Sequence, residues 1–152
     1  MPEKFDLSEK VAVITGGAGL LGKQHASALA EISVIVIITD IDENAARLAA
    51  EDIDKTYGPG RVFPMAMDVT DPSSIQNVND TLQEDHGGVH ILKNNAAIDP
   101  KVSTGQGLKE TSSLENFSLK QWQFQIDVGL SCAYFGSQVF GVRWQMRTVG
   151  SS

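Results

Sequence analysis

The chain of 152 residues contains one cysteine, Cys132, which excludes an intrachain disulfide, and no set of Cys and His side chains has zinc-ligand spacing. A reducing compartment is the expectation. Positive charge is also scarce: 12 Lys and Arg stand against 19 Asp and Glu, a net charge of −7, with no basic cluster able to neutralise a row of phosphates. Nucleic acid is therefore not an expected partner. Long apolar runs are missing, the longest (residues 34–38) falling far short of the ~20 residues that span a bilayer. The first residues, Met1-Pro2-Glu3-Lys4-Phe5-Asp6, lack the basic region and apolar run of a secretory signal. These absences together point to a cytoplasmic protein without a membrane partner. His25, His86 and His90 form no ligand cluster, since Gly87-Gly88 breaks helical pairing of the last two, and no metal is expected. What is present, 41% hydrophobic and 20% charged residues, is ordinary globular composition at the length of one domain.

The hydrophobic residues are grouped in an alternating order. Residues 10–15 and 34–39 are short β-branched runs, the first closed by a glycine cluster and the second by Asp40, and both read as buried strands. Leu21, Ala26, Leu29 and Ala30 between them have helical spacing. Asp42 reads as the N-cap of an Ala-rich helix over residues 43–56, stopped by Gly58-Pro59-Gly60. Residues 61–67 predict a third strand whose Pro64 suits an edge position, Asp71-Pro72 opens a third helix running to about Asp85, and residues 89–93 predict a fourth strand. This βα repeat implies a doubly wound parallel α/β sheet with right-handed crossovers. Residues 99–117 carry neither pattern and form a candidate substrate loop. Residues 118–142 return to helical spacing, apolar nearly all round, which predicts a long fourth helix buried on several sides.

Thr15-Gly16-Gly17-Ala18-Gly19-Leu20-Leu21-Gly22 contains G-x-G-x-x-G at Gly17, Gly19 and Gly22. The motif leaves a predicted strand, opens a predicted helix and is followed by an acid, Asp40, at the end of the next strand, which is the context dinucleotide binding requires. Glycines permit close backbone approach to a pyrophosphate, and the helix start supplies free N–H groups and a favourable dipole. A carboxylate at Asp40 accepts hydrogen bonds from both ribose hydroxyls and repels a 2′-phosphate, so NAD is expected in preference to NADP. The plainer alternative is a tight βα turn with Asp40 only capping the next helix.

Taken with Asp68-Val69-Thr70-Asp71 and Asn94-Asn95-Ala96-Ala97, these motifs resemble the short-chain dehydrogenase/reductase family over about residues 10–140. The glycine turn has the T-G-x-x-G-x-x-G form of that family's extended members, whereas the later motifs resemble its shorter members. The resemblance implies an NAD(P)-binding Rossmann fold and a set of cofactor-binding residues. These are Gly16, Gly17, Gly19, Leu20, Leu21 and Gly22 in the turn, Asp40 and Ile41 after the second strand, Asp68 and Val69 at the adenine, and Asn95, Ala96 and Ala97 along the ribose. Gly22 to Ala26, Asn95 to Lys101 and Leu114 to Phe117 resemble more narrowly a bacterial branch linked to flagellin modification and nonulosonic sugar-nucleotide synthesis.

The family's dehydrogenases use a Ser, a Y-x-x-x-K pair and often an Asn before the fifth strand. Here Tyr57 is followed four residues on by Arg61 and Tyr134 by Gln138, and Gly129 stands where the Asn is usual. No catalytic residue is assigned, and residues 1–141 read as the amino-terminal, cofactor-binding half of such an enzyme. Residues 142–152 depart from the family's texture and suggest a frameshift. Two functions follow: an NAD-dependent oxidoreductase acting on a secondary alcohol or ketone, here only its cofactor half and inactive alone, or a non-catalytic dinucleotide-binding module or inactive fragment. The family's fourth helix belongs to a dimer-forming bundle, which implies homo-oligomerisation through residues 118–142. Cys132 has the spacing of a buried helical residue, and Asp52 with Asp54 and Glu84 with Asp85 read as solvated helix faces.

Overall fold

The computed structural model describes residues 6–98 and 117–149. The candidate substrate loop lies outside the described residues apart from Phe117. Four strands, β1 (Val11–Thr15), β2 (Ile35–Asp40), β3 (Val62–Ala66) and β4 (Ile91–Lys93), pair in parallel in the order β3-β2-β1-β4. Helices α1 (Leu20–Glu31), α2 (Glu43–Tyr57) and α3 (Pro72–His86) connect them. The alternating side chains of β1 and β2 enter two cores. Ala12, Ile14, Val36 and Ile38 pack on one face with alanines of α1 and α2, including Ala26, Ala30, Ala46 and Ala49. Val11, Val13 and Ile37 pack on the other with Ile75, Val78 and Leu82 of α3 and with Phe140. Small residues in α1 and α2 let those helices approach the β-branched strands closely on their face of the sheet.

The expected punctuation is in place. Asp42 accepts from the Ala45 N–H at 3.0 Å and Asp71 from the Ser73 N–H at 2.9 Å, with Pro72 in the first turn of α3. Pro64 lies on β3, the edge strand, where its missing N–H leaves no ladder bond unmade. The sequence has no glycine between α1 and β2, yet Ser33 adopts φ 69°, so a non-glycine residue takes the left-handed turn there.

Three details differ from the sequence reading. β4 begins at Ile91 rather than Val89, because the Val11 N–H donates to the His90 ring Nδ1 (3.1 Å) while the His90 N–H donates to the Val11 carbonyl (2.9 Å). The imidazole thus replaces a main-chain acceptor at the strand's start. Lys93, the last residue of β4, is exposed and keeps its charge in solvent. The long helix is divided: α4 (Leu119–Ile126), a π turn (Asp127–Ser131) and α5 (Cys132–Val149) follow one another without a break. It is also less buried than its composition predicts. α4 contributes no buried residue, and Val128, Cys132 and Phe140 enter the core while Leu119, Trp122, Leu130 and Tyr134 are exposed. Helical periodicity allows one stripe to face the α3 side of the sheet, and the remaining apolar residues face outward. α5 continues past Val142, and the Trp144 indole N–H donates to the Val89 carbonyl at 2.8 Å.

Candidate functional site

A cavity of about 590 Å³ opens at the carboxyl ends of the strands, between the β1–α1 turn and the loops that leave β2, β3 and β4. In an open parallel sheet this is the ligand-binding edge, and the volume is that of a small-molecule or cofactor site. The turn after β1 forms its floor. Gly16 adopts φ +60°, and a Cβ there would lie 2.9 Å from the Ala96 Cα, so only glycine lets the turn and the β4 loop meet. Gly17 donates its N–H to the Thr39 carbonyl at 2.9 Å, and Gly19, the N-cap of α1, donates to the Gly16 carbonyl at 3.2 Å.

α1 starts at Leu20 with no capping side chain and no acidic residue in its first turn. The N–H groups of Leu20 and Leu21 have no intrahelical acceptor, and both residues line the cavity. Together with the helix dipole they suit an anionic group such as a pyrophosphate.

Asp40 ends β2 and accepts from the Ala18 N–H at Oδ2 (3.3 Å) and the Asp42 N–H at Oδ1 (3.2 Å), which ties the glycine turn to the second strand. Each oxygen keeps further acceptor capacity, and Asp40 lines the cavity beside the exposed Ile41. Asp68 and Val69 line the wall that leaves β3. Across the sheet, Thr15 is 4% exposed and its Oγ1 accepts the N–H groups of Asn95 (2.9 Å) and Ala96 (3.0 Å). The Asn95 Nδ2 returns two bonds, to the Thr15 carbonyl (3.0 Å) and the Gly16 carbonyl (3.1 Å). The segment Asn95-Ala96-Ala97 is thus fastened to the end of β1 and borders the cavity.

Gly17 and Gly22, also expected in the site, do not line the cavity but lie behind the turn. A Cβ on Gly17 would meet the Ile38 side chain at 2.9 Å, and one on Gly22 would meet the Gly17 Cα at 2.6 Å. They permit the packing of β2 and α1 against the turn. The structure adds Met67, Thr70, Ile98, Phe124 and Val128 to the lining. Phe124 and Val128 are four residues apart on the helical path, a spacing that puts both on one face. Cys132 donates to the Val128 carbonyl at 2.6 Å, and burial pushes its thiol up from the ordinary range, which disfavours a nucleophilic role.

A parallel sheet in this order, wound on both faces and opening onto a glycine turn, defines a Rossmann-type α/β protein. The model of the family described as short chain dehydrogenase matches residues 10–151, and the chain belongs to that family. It is 34% identical over 134 residues to the uncharacterized oxidoreductase YuxG of Bacillus subtilis, covering 88% of this chain and 18% of that protein. It is 31% identical over 128 residues to a 3-alpha-(or 20-beta)-hydroxysteroid dehydrogenase of Mycobacterium bovis, covering 84% of this chain and 43% of that one. The crystal structure of a short chain dehydrogenase/reductase from Burkholderia phymatum in complex with NAD aligns with a TM-score of 0.76 at 26% identity, covering 90% of this chain and 44% of that one. The chain thus spans less than half the length of each of these relatives. None of the three bears on a flagellin-modifying branch.

Proposed function

We propose that residues 1–141 hold NAD for an oxidoreductase that exchanges hydride between a secondary alcohol or ketone and the nicotinamide. The observation that carries this reading is the meeting of the glycine turn, Asp40, Asp68 and Asn95 around one cavity at the strands' carboxyl ends. The Leu20 and Leu21 N–H groups would face the pyrophosphate, Asp40 the adenosine ribose, Asp68 and Val69 the adenine, and Asn95 to Ala97 would run along the cofactor ribose. When bound, the nicotinamide supplies the hydride chemistry, and this chain's residues orient it. Neither tyrosine in the 152 residues has a lysine four positions on, so proton transfer calls for groups these residues do not include. That observation favours, as the second reading, a dinucleotide-binding module without catalysis. Supplying a partner chain that carries the Tyr and Lys separates the two, since only the first reading expects turnover.

Titration calorimetry on the purified chain tests the cofactor assignment. NAD should saturate a single site, NADP should bind at least tenfold more weakly, and Asp40→Ala should cost NAD about tenfold or more through lost charge-assisted bonds while sparing NADP. Equal binding of NAD and NADP, unaffected by Asp40→Ala, would remove Asp40 from the ribose.

Among the described residues no helix is long and apolar enough to cross a membrane. We place the chain in the cytoplasm because its solitary cysteine, Cys132, suits a reducing compartment. We also infer a homo-oligomer through the helical path 118–142, because Leu119, Trp122, Leu130 and Tyr134 expose large apolar surface along it. Light scattering over a range of concentrations should give a discrete dimer mass, which Trp122→Lys with Leu130→Lys reduces to the monomer. Continuous growth in mass would indicate aggregation instead.

A further inference from the structure

β4 is held at its start by a side chain that a proton can change. The strand is three residues long, and its partners on β1 are Ala12, Val13 and Ile14. Just before it, His90 donates its N–H to the Val11 carbonyl at 2.9 Å, and its ring Nδ1 accepts the Val11 N–H at 3.1 Å. A neutral ring with Nδ1 as acceptor carries its one hydrogen on Nε2. Val11 is 1% exposed, so its N–H lies in a nearly solvent-free position. Beside this junction Trp144 of α5 donates its indole N–H to the Val89 carbonyl at 2.8 Å. The other end of β4 leads into Asn95-Ala96-Ala97, which borders the cavity.

We propose that His90 is a proton-operated latch on the cofactor site: the neutral ring holds the start of β4 on β1, and protonation releases it and weakens binding. The effect on binding rests on the cofactor reading, whereas the latch itself does not. Protonation places a hydrogen on Nδ1, so two N–H groups confront one another where a donor met an acceptor. The Val11 N–H then lacks an acceptor in a dry position. The short strand keeps only its ladder and the Thr15–Asn95 bonds at its far end. The folded chain therefore favours the neutral ring, and the unfolded chain binds the proton more readily. Stability is full above about pH 6.5, the ordinary value for histidine, and is lost as pH falls below it. Other charged residues lie on the segments that reach this junction. Lys10 precedes Val11, Glu84, Asp85 and His86 end α3, Lys93 ends β4, and Arg143 adjoins Trp144 in α5. Among these residue types only histidine ordinarily titrates between pH 5 and 8. The His86 ring lies against Phe63 of β3, the opposite edge strand, with 5.3 Å between centroids.

The test follows thermal unfolding and NAD affinity from about pH 7.5 to about pH 5.5, a range that brackets the histidine value, in the full chain and in His90→Asn. The asparagine Oδ1 can stand where Nδ1 stood and accepts without titrating. The wild type should lose about 3 °C or more of unfolding temperature beyond any loss in His90→Asn, and its NAD affinity should fall about threefold or more relative to that variant. His90→Asp, an acceptor that stays ionised over this range, gives the same result should the asparagine chain fold poorly. His90→Phe, which has no acceptor, should show the weakened state at both pH values. Nitrogen NMR of the imidazoles, with the His90 signals identified by their loss in His90→Asn, should report hydrogen on Nε2 at neutral pH and titration below that of an unfolded-chain histidine. Parallel pH profiles in wild type and His90→Asn, or an Nδ1 that carries the hydrogen at neutral pH, would overturn the proposal. So would a wild type whose stability falls with pH while its NAD affinity does not. Absence of NAD binding at neutral pH by the folded wild type would instead bring down the cofactor reading, and the unfolding series and ring titration would still decide whether the latch exists.

Discussion

Gly22→Ala should abolish measurable NAD binding, a loss of a hundredfold or more, and lower the unfolding temperature by about 5 °C or more, corresponding to about 2 kcal/mol for a chain of this size. Two effects compete at this position. Alanine is the better helix former by about 1 kcal/mol in a helix interior, and Gly22 is in the first turn of α1. Against that, its Cβ would lie 2.6 Å from the Gly17 Cα and 2.7 Å from both the Gly16 and Gly17 carbonyl oxygens. All three are main-chain atoms, and no rotamer change can move them. Ordinary contact requires the start of α1 to retreat by about 1 Å. That retreat draws the Leu20 and Leu21 N–H groups away from the position a pyrophosphate would occupy, so binding falls further than stability. Calorimetry and thermal unfolding on the same sample measure both. A Gly22→Ala chain as stable as the wild type and retaining its NAD affinity would mean that the close approach of helix and turn is not what builds the site.

Much of this arrangement is legible in the sequence because it is made by local chemistry. The β-branched runs at residues 10–15 and 34–39, the glycine turn between strand and helix, and the caps Asp42 and Asp71 each act within a few residues. Pro64 could be assigned to an edge because its missing donor constrains any sheet, and β3 is at the edge. What the sequence hides depends on contacts distant along the chain. His90 lies 79 residues from Val11, and its ring replaces a main-chain acceptor, which shortens β4 in a way no propensity reports. Phe124 and Val128 reach the cavity because the helical path passes over it, whereas periodicity alone gave them only a place in an apolar helix. The π turn at Asp127–Ser131 is equally silent in composition, although it surrounds Gly129 and shifts the helical register between α4 and α5. The left-handed Ser33 escapes for the opposite reason, since the expected signal, a glycine, is absent and the conformation is adopted regardless. At the site, Gly17 and Gly22 carry the motif yet stand behind the cavity, so a motif can mark the packing that makes a site as well as the surface that binds.

Thr15→Val is the second large effect, and it acts at the opposite side of the same floor. The substitution preserves shape and β-branching, so strand preference and packing stay nearly constant. It removes one oxygen, Oγ1, that accepts the N–H groups of both Asn95 and Ala96 in a nearly solvent-free position. Two main-chain donors are then left without an acceptor, at about 1–3 kcal/mol each, and an expected net cost of about 2–4 kcal/mol follows. The Asn95 amide bonds to the Thr15 and Gly16 carbonyls cannot compensate, because they run in the other direction and do not reach those N–H groups. Gly16 is in close approach to Ala96, so loosening this fastening also separates the glycine turn from Asn95-Ala96-Ala97, and NAD affinity should fall about tenfold. Thr15→Ser keeps the acceptor and loses only a methyl group, at about 1 kcal/mol, with binding close to wild type. Urea unfolding of the three chains beside NAD titration separates hydroxyl from methyl. If Val and Ser prove equally stable, the hydroxyl is not the fastening, and the two amide bonds of Asn95 must hold β1 to the end of β4 by themselves.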